Sequence, residues 1–72
     1  MLHNMDRRER RKRLIALVGG QSRIARSAGV DRATVCRVVA GWEGGVTAAK
    51  TDGVIRHALR RISRDLEHLW AA

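Results

Sequence analysis

The groups in this chain that could do covalent chemistry are few, and their spacing works against it. No serine has a histidine near it in sequence to serve as a base, and no phosphate-cradling glycine loop precedes a lysine. Cys36 is the only cysteine, which excludes an intrachain disulfide and a multi-cysteine zinc site. Little beside it would activate the thiol, so it reads as a small inert residue rather than a redox switch. His57 and His68 fall near one helical face but about 16 Å apart along the axis, too far to share a metal. The acids Asp52, Asp65 and Glu67 lie on what reads as an exposed helix. Catalysis, metal binding and a cofactor are therefore not expected. What remains is arginine: a run at Arg7, Arg8, Arg10, Arg11 and Arg13, and a separate pair at Arg32 and Arg37. Their chemistry is anion recognition.

The charge distribution says which anion. The 72 residues carry a net +8. Residues 1–40 hold ten Lys/Arg against three acids, and residues 41–72 five against four. A basic N-terminal half is the footprint of a polyanion binder, although basic stretches also occur as plain solvated faces or membrane-surface patches. No run approaches the length of a membrane span. The apolar stretch Leu14–Val18 is too short for a secretory signal and runs into Gly19-Gly20, so a cytoplasmic location and no membrane partner are expected.

The elements that position these arginines read as helices throughout. There is no proline, and Phe and Tyr are absent, so the core must be aliphatic. The length suits one domain over 1–72 with no deep substrate cleft. After a loose tail at Met1–Met5, a helix over Arg7–Val18, capped by Asn4 or Asp6, is expected to end at Gly19-Gly20. Residues 1–13 form a basic arm, either a solvated helix or a tail that orders on phosphate. Short helices follow over Gln21–Ala28 and Arg32–Ala40, with Gly29 between them and Asp31 capping the second. A loop around Trp42 leads to a long last helix starting near Thr47 or Thr51 and reaching about Trp70, and Trp42 is expected to plug the core from below. In that helix Ile55, Leu59, Ile62, Leu66 and Leu69 recur every four and three residues, the repeat of a seam between helices. The fold expected is all-α: a compact four- to five-helix bundle with a long C-terminal helix.

Residues 21–40 fit a helix-turn-helix position by position. Ala25 is small where two helix backbones must approach, and Gly29 accepts the positive φ of the tight turn. Ile24, Ala28, Val30, Val35 and Val38 then fall between the helices. Arg32, Ala33, Cys36, Arg37 and Ala40 fall on the opposite face of the second one.

The stretch Ile24-Ala25, Ala28-Gly29-Val30 and Thr34-Val35-Cys36-Arg37-Val38-Val39 resembles the DNA-binding headpiece of the lactose-repressor family. Its pattern is Val-Ala, Ala-Gly-Val and Thr-Val-Ser-Arg-Val. The continuation Val46-Thr47-Ala48-Ala49-Lys50-Thr51 is similar to its Val-Ser-Ala-Lys-Thr, with one extra residue in the loop and another inside the motif. The resemblance spans roughly residues 20–62 and overlaps the Cro-like and lambda-repressor-like phage regulators. Two departures matter: no sugar-binding domain is expected after the headpiece, so no small-molecule effector is implied, and Cys36 replaces the common serine.

The resemblance implies double-stranded DNA as partner, read by Arg32, Ala33 and Arg37 at base edges. Gln21, Ser22 and Thr34 would contact phosphate, with Arg7, Arg8, Arg10, Arg11 and Arg13 adding sequence-independent affinity. One such unit reads few base pairs, so a homodimer on an inverted-repeat operator is expected, acting as a repressor with its own promoter among the candidate targets. Val54, Ile55, Ala58 and Leu59 would complete the domain's own core. Ile62, Leu66, Leu69 and Trp70 would meet their twins across a two-fold axis. The rival readings are a helix-turn-helix fold that binds or inhibits another protein, and an arginine-rich RNA binder.

Overall fold

The computed structural model describes residues 5–72, so Asn4 as a possible cap and most of the expected loose tail lie outside the described residues. Five helices follow one another: α1 (Arg7–Leu17), α2 (Gln21–Ala28), α3 (Arg32–Val39), α4 (Gly45–Ile62) and α5 (Arg64–Ala71). The all-α bundle expected from the composition is the fold observed. No helix is long and apolar enough to cross a membrane among the described residues.

Each short helix starts and stops for a local reason. The Asp6 carboxylate accepts the Glu9 N–H at 2.8 Å and opens α1. Gly19 and Gly20, both at positive φ, carry the chain from α1 into α2. Gly29 sits in the left-handed region at φ 68° and ends α2, its N–H and that of Val30 returning to the last-turn carbonyls. Leu14, Ile15, Ile24, Val35, Val38, Ile55 and Leu59 interlock in a core that is aliphatic except for one residue, Trp70.

Trp70 explains the middle of the arginine run. Its side chain is fully buried, and the Arg11 guanidinium stacks over its ring 4.1 Å from the centroid. Arg11 itself is only 4% exposed. It donates Nε and Nη2 to the Trp70 carbonyl at 3.2 and 3.1 Å, and Nη1 to the Val38 carbonyl at 3.1 Å. Both carbonyls belong to last helical turns, where the helix dipole favours a cation. Burial lowers the Arg11 pKa from its ordinary value, and the neighbouring charge of Arg7 adds to the effect. Arginine starts so high that the group stays charged. The expectation that Arg11 reaches phosphate is therefore corrected: it is a buried link between α1, α3 and α5. Arg10 is half-buried and donates Nε to the Leu69 carbonyl at 3.2 Å, whereas Arg7, Arg8 and Arg13 are exposed.

The C-terminal region departs from expectation in the same place. The run from Thr51 to Trp70 is two helices, because Ser63 is extended and its hydroxyl accepts the Asp65 N–H. Arg60 and Arg61 in the last turn of α4, and Asp65 and Glu67 in the first turn of α5, suit a break at that point. α5 folds back on its own domain, half-burying Leu66 and Leu69 against the core. Trp70, expected at a dimer seam, is instead sealed inside its own chain, with its indole N–H donated to Asp52 at 2.7 Å. Ile62 alone of the four remains open, at 58% exposure. Trp42 is also corrected, since it is 39% exposed and lies against Gly44 rather than plugging the core.

Two substitutions in the same arginine run should separate sharply. Arg11→Ala strips the Trp70 carbonyl of its partner and the indole of its cation, and should cost about 3 kcal/mol. Arg8→Ala on the exposed face should change stability by less than about 0.5 kcal/mol. Urea unfolding followed by tryptophan fluorescence measures both.

Candidate nucleic-acid interface

The α2–α3 pair is held by its turn and by one carboxylate. Asp31 is extended and caps α3, its Oδ1 accepting the Thr34 N–H at 2.8 Å and the Thr34 hydroxyl at 2.7 Å. Those two bonds, the hydroxyl's first, hold the Asp31 carboxyl below the usual carboxylate range, and the charge of Arg37 helps. The Thr34 side chain is buried and its proton is committed to Asp31, so the expected phosphate contact is corrected to a capping role.

With the cap set, the two faces of α3 separate cleanly. Val35, Val38 and Val39 point into the core, while Arg32, Ala33, Cys36, Arg37 and Ala40 are all exposed. Ile24, Ala25 and Ala28 of α2 are buried against this pair, and Val30 is half-buried. The outward face thus carries two arginines and no acid, and the only acid at its edge is the capping Asp31.

Gln21 and Ser22 start α2, whose cap residue Gly20 offers no side-chain acceptor. The first-turn N–H groups of α2 therefore have no side-chain partner, the arrangement that suits a phosphate. Gln21 does more than sit there. Its Oε1 accepts from the Cys36 thiol at 3.0 Å, across to α3. That contact orients the Gln21 amide and leaves its NH₂ donors free. Cys36 is thus a positioning residue for Gln21. Only the fold brings the two together, fifteen residues apart. Lys50 was also missed as a candidate. It is exposed on α4, and its Nζ lies 3.5 Å from where a Cβ on Gly29 would stand, placing an ammonium beside the turn. The signal was present in the Ala48-Ala49-Lys50-Thr51 stretch, but nothing in the sequence shows that α4 passes under the turn.

Arg7, Arg8 and Arg13 are exposed on α1, while Arg10 and Arg11 are held by α5 and α3. No group of three or more potential metal ligands occurs among the described residues. Comparison with protein-family models, with curated proteins and with solved structures finds no match to this chain.

Two measurements test this geometry directly. Gly29→Ala forces a side chain into the left-handed region and should destabilise by about 1 kcal/mol. Gly53→Ala, inside α4 where a Cβ meets nothing within 4 Å, should stabilise by about 0.5–1 kcal/mol. Thermal unfolding reports both signs. The depressed Asp31 pKa makes the α3 cap fully effective above the ordinary carboxyl value near 3.8, and the cap is lost as pH falls through the lower folded value. Asp31→Asn should flatten that part of the acid limb in a plot of urea midpoint against pH. An unchanged limb would show that Asp31 does not supply it.

Proposed function

We propose that this chain is a sequence-specific double-stranded DNA-binding regulator, with α3 as the helix that enters the major groove. The observation that carries the reading is the outward face of α3. Arg32 and Arg37 stand exposed on it, between small side chains that let the helix approach a groove floor closely. A guanidinium there can pair bidentately with the O6 and N7 of guanine, so each half-site should hold at least one G·C pair. Ala33 supplies only a methyl, suited to a thymine methyl. Gln21, Ser22 and the uncapped start of α2 are placed to hold the backbone on one side, with Lys50 beside the turn. Arg7, Arg8 and Arg13 add charge on α1.

Affinity from one copy is limited, and helix-turn-helix proteins commonly place two reading helices about 34 Å apart. This chain measures 30 × 22 × 18 Å, so two copies side by side can meet that spacing. The pairing surface includes Ile62 and the open edges of Leu66 and Leu69, without Trp70. An inverted-repeat operator and repression by occupying a promoter follow from this reading, as does action in the cytoplasm, where DNA is accessible.

The test is a gel shift on the DNA upstream of the protein's own gene, with excess nonspecific duplex. A regulator gives a shift that survives competition and a footprint over an inverted repeat. Equal binding to any nucleic acid would favour a charge-only binder, and no binding would favour a protein-interaction module. Arg37→Ala and Arg32→Ala should each cost about 1–3 kcal/mol at the cognate site and relax the preference at one base pair. Arg8→Ala should leave the preference intact and lower the slope of log K against log salt by about one phosphate's worth.

A further inference from the structure

Between the start of α1, the loop after α3 and the first turns of α4 lies a cavity of about 240 Å³, open on one side. We propose that it is a binding site for a small aromatic carboxylate. Its size is the first reason: a cavity of about 150 Å³ already admits a benzene ring, so there is room here for a ring with a charged substituent.

Its chemistry is the second. Trp42, 39% exposed as a residue, lines the cavity on a loop tightened so far that a Cβ at Gly44 would overlap the ring. Ala48 and Ala49 of α4 add only methyl groups to the walls, leaving space for a flat ligand beside the indole. Arg7, Arg11 and Arg56 all line the cavity: Arg7 is exposed and has no ion pair among the described residues, Arg56 is paired with Asp52, and Arg11 lies buried behind them on its carbonyls. Asp52 also lines it, but its two oxygens are engaged by the Trp70 indole N–H and by Arg56 Nε. Arg11 has no carboxylate within ion-pair distance among the described residues and is held by carbonyls alone. Positive charge therefore exceeds what Asp52 and Glu43 offset. A carboxylate suits the guanidinium fork, and an aromatic ring suits the half-open indole. Val38, in the last turn of α3, is part of the same wall, so a bound ligand touches the back of that helix.

The experiment is an NMR titration of the isotope-labelled full chain without DNA, which keeps it independent of the nucleic-acid reading. Salicylate is the probe, and benzyl alcohol, cyclohexanecarboxylate and inorganic phosphate are the comparisons. The expected result is a saturable shift of the Trp42 indole N–H and of the Arg7 and Arg56 Nε–H signals, half-complete at millimolar salicylate or below. The three comparison compounds should bind at least about tenfold more weakly, roughly 1.4 kcal/mol. Ala49→Leu, which fills the cavity, should abolish the response. If that variant is unfolded by its NMR spectrum, Trp42→Leu is expected to abolish the Arg7 and Arg56 Nε–H shifts, and their persistence there would equally overturn the proposal. No saturable shift, a response centred elsewhere, an equal response to phosphate, or a folded filled variant that still binds would each overturn the proposal.

Discussion

The arrangement of this small domain depends on one buried cation. Arg11 lies between the Trp70 indole and two backbone carbonyls, so α1, the end of α3 and the end of α5 share a single anchor. A chain without Phe or Tyr has little bulk with which to fill a core. The stacked pair supplies that bulk. The arginine stem packs as a hydrocarbon, and its head satisfies the Trp70 carbonyl at the end of α5 and adds a second donor to the Val38 carbonyl, which also accepts the Gly41 N–H. A guanidinium is costly to bury unless its donors are used. Three bonds to carbonyls and an aromatic face meet that requirement here without an ion pair.

This anchor divides the arginine run by helical geometry. One turn of α1 turns Arg11 inward and Arg10 partly so, while Arg7, Arg8 and Arg13 remain outside. The same charge type thus serves the interior from one position and the surface from its neighbours. The arrangement also couples the chain ends to the proposed reading helix. Arg11 holds the Val38 carbonyl in the last turn of α3, and Asp31 holds the first turn through Thr34. α3 is clamped at both ends, and only its outward face is left for a partner.

The positions of α2 and α3 were legible from the sequence because they rest on local rules. A glycine at the turn, a capping aspartate and a three-to-four apolar spacing placed α2 and α3 within a residue of where they lie. The outward set on α3 followed from that phase alone. The C-terminal half was misread because a seam repeat looks the same whether it continues along one helix or folds back after a cap. Ser63 with Asp65 and Glu67 behind it carries the sign of a new helix start, which the regular leucine spacing masks. The roles of Trp70, Arg11 and the Gln21–Cys36 pair were not legible, since each depends on contacts between residues distant in sequence. Thr34 was half legible: its hydroxyl stands beside an Asp31 cap, and the cap takes it.

The central claim is that base edges are met by α3 and not by the basic surface in general. The most direct measurement is an NMR titration of the labelled protein with a footprinted inverted-repeat duplex and with a scrambled duplex of equal length. The account predicts that the cognate duplex alone shifts the amides of Arg32 and Ala33 and the Nε–H of Arg37, with the exposed α1 arginines responding to both. Shifts confined to α1, or the same α3 response to both duplexes, would contradict it.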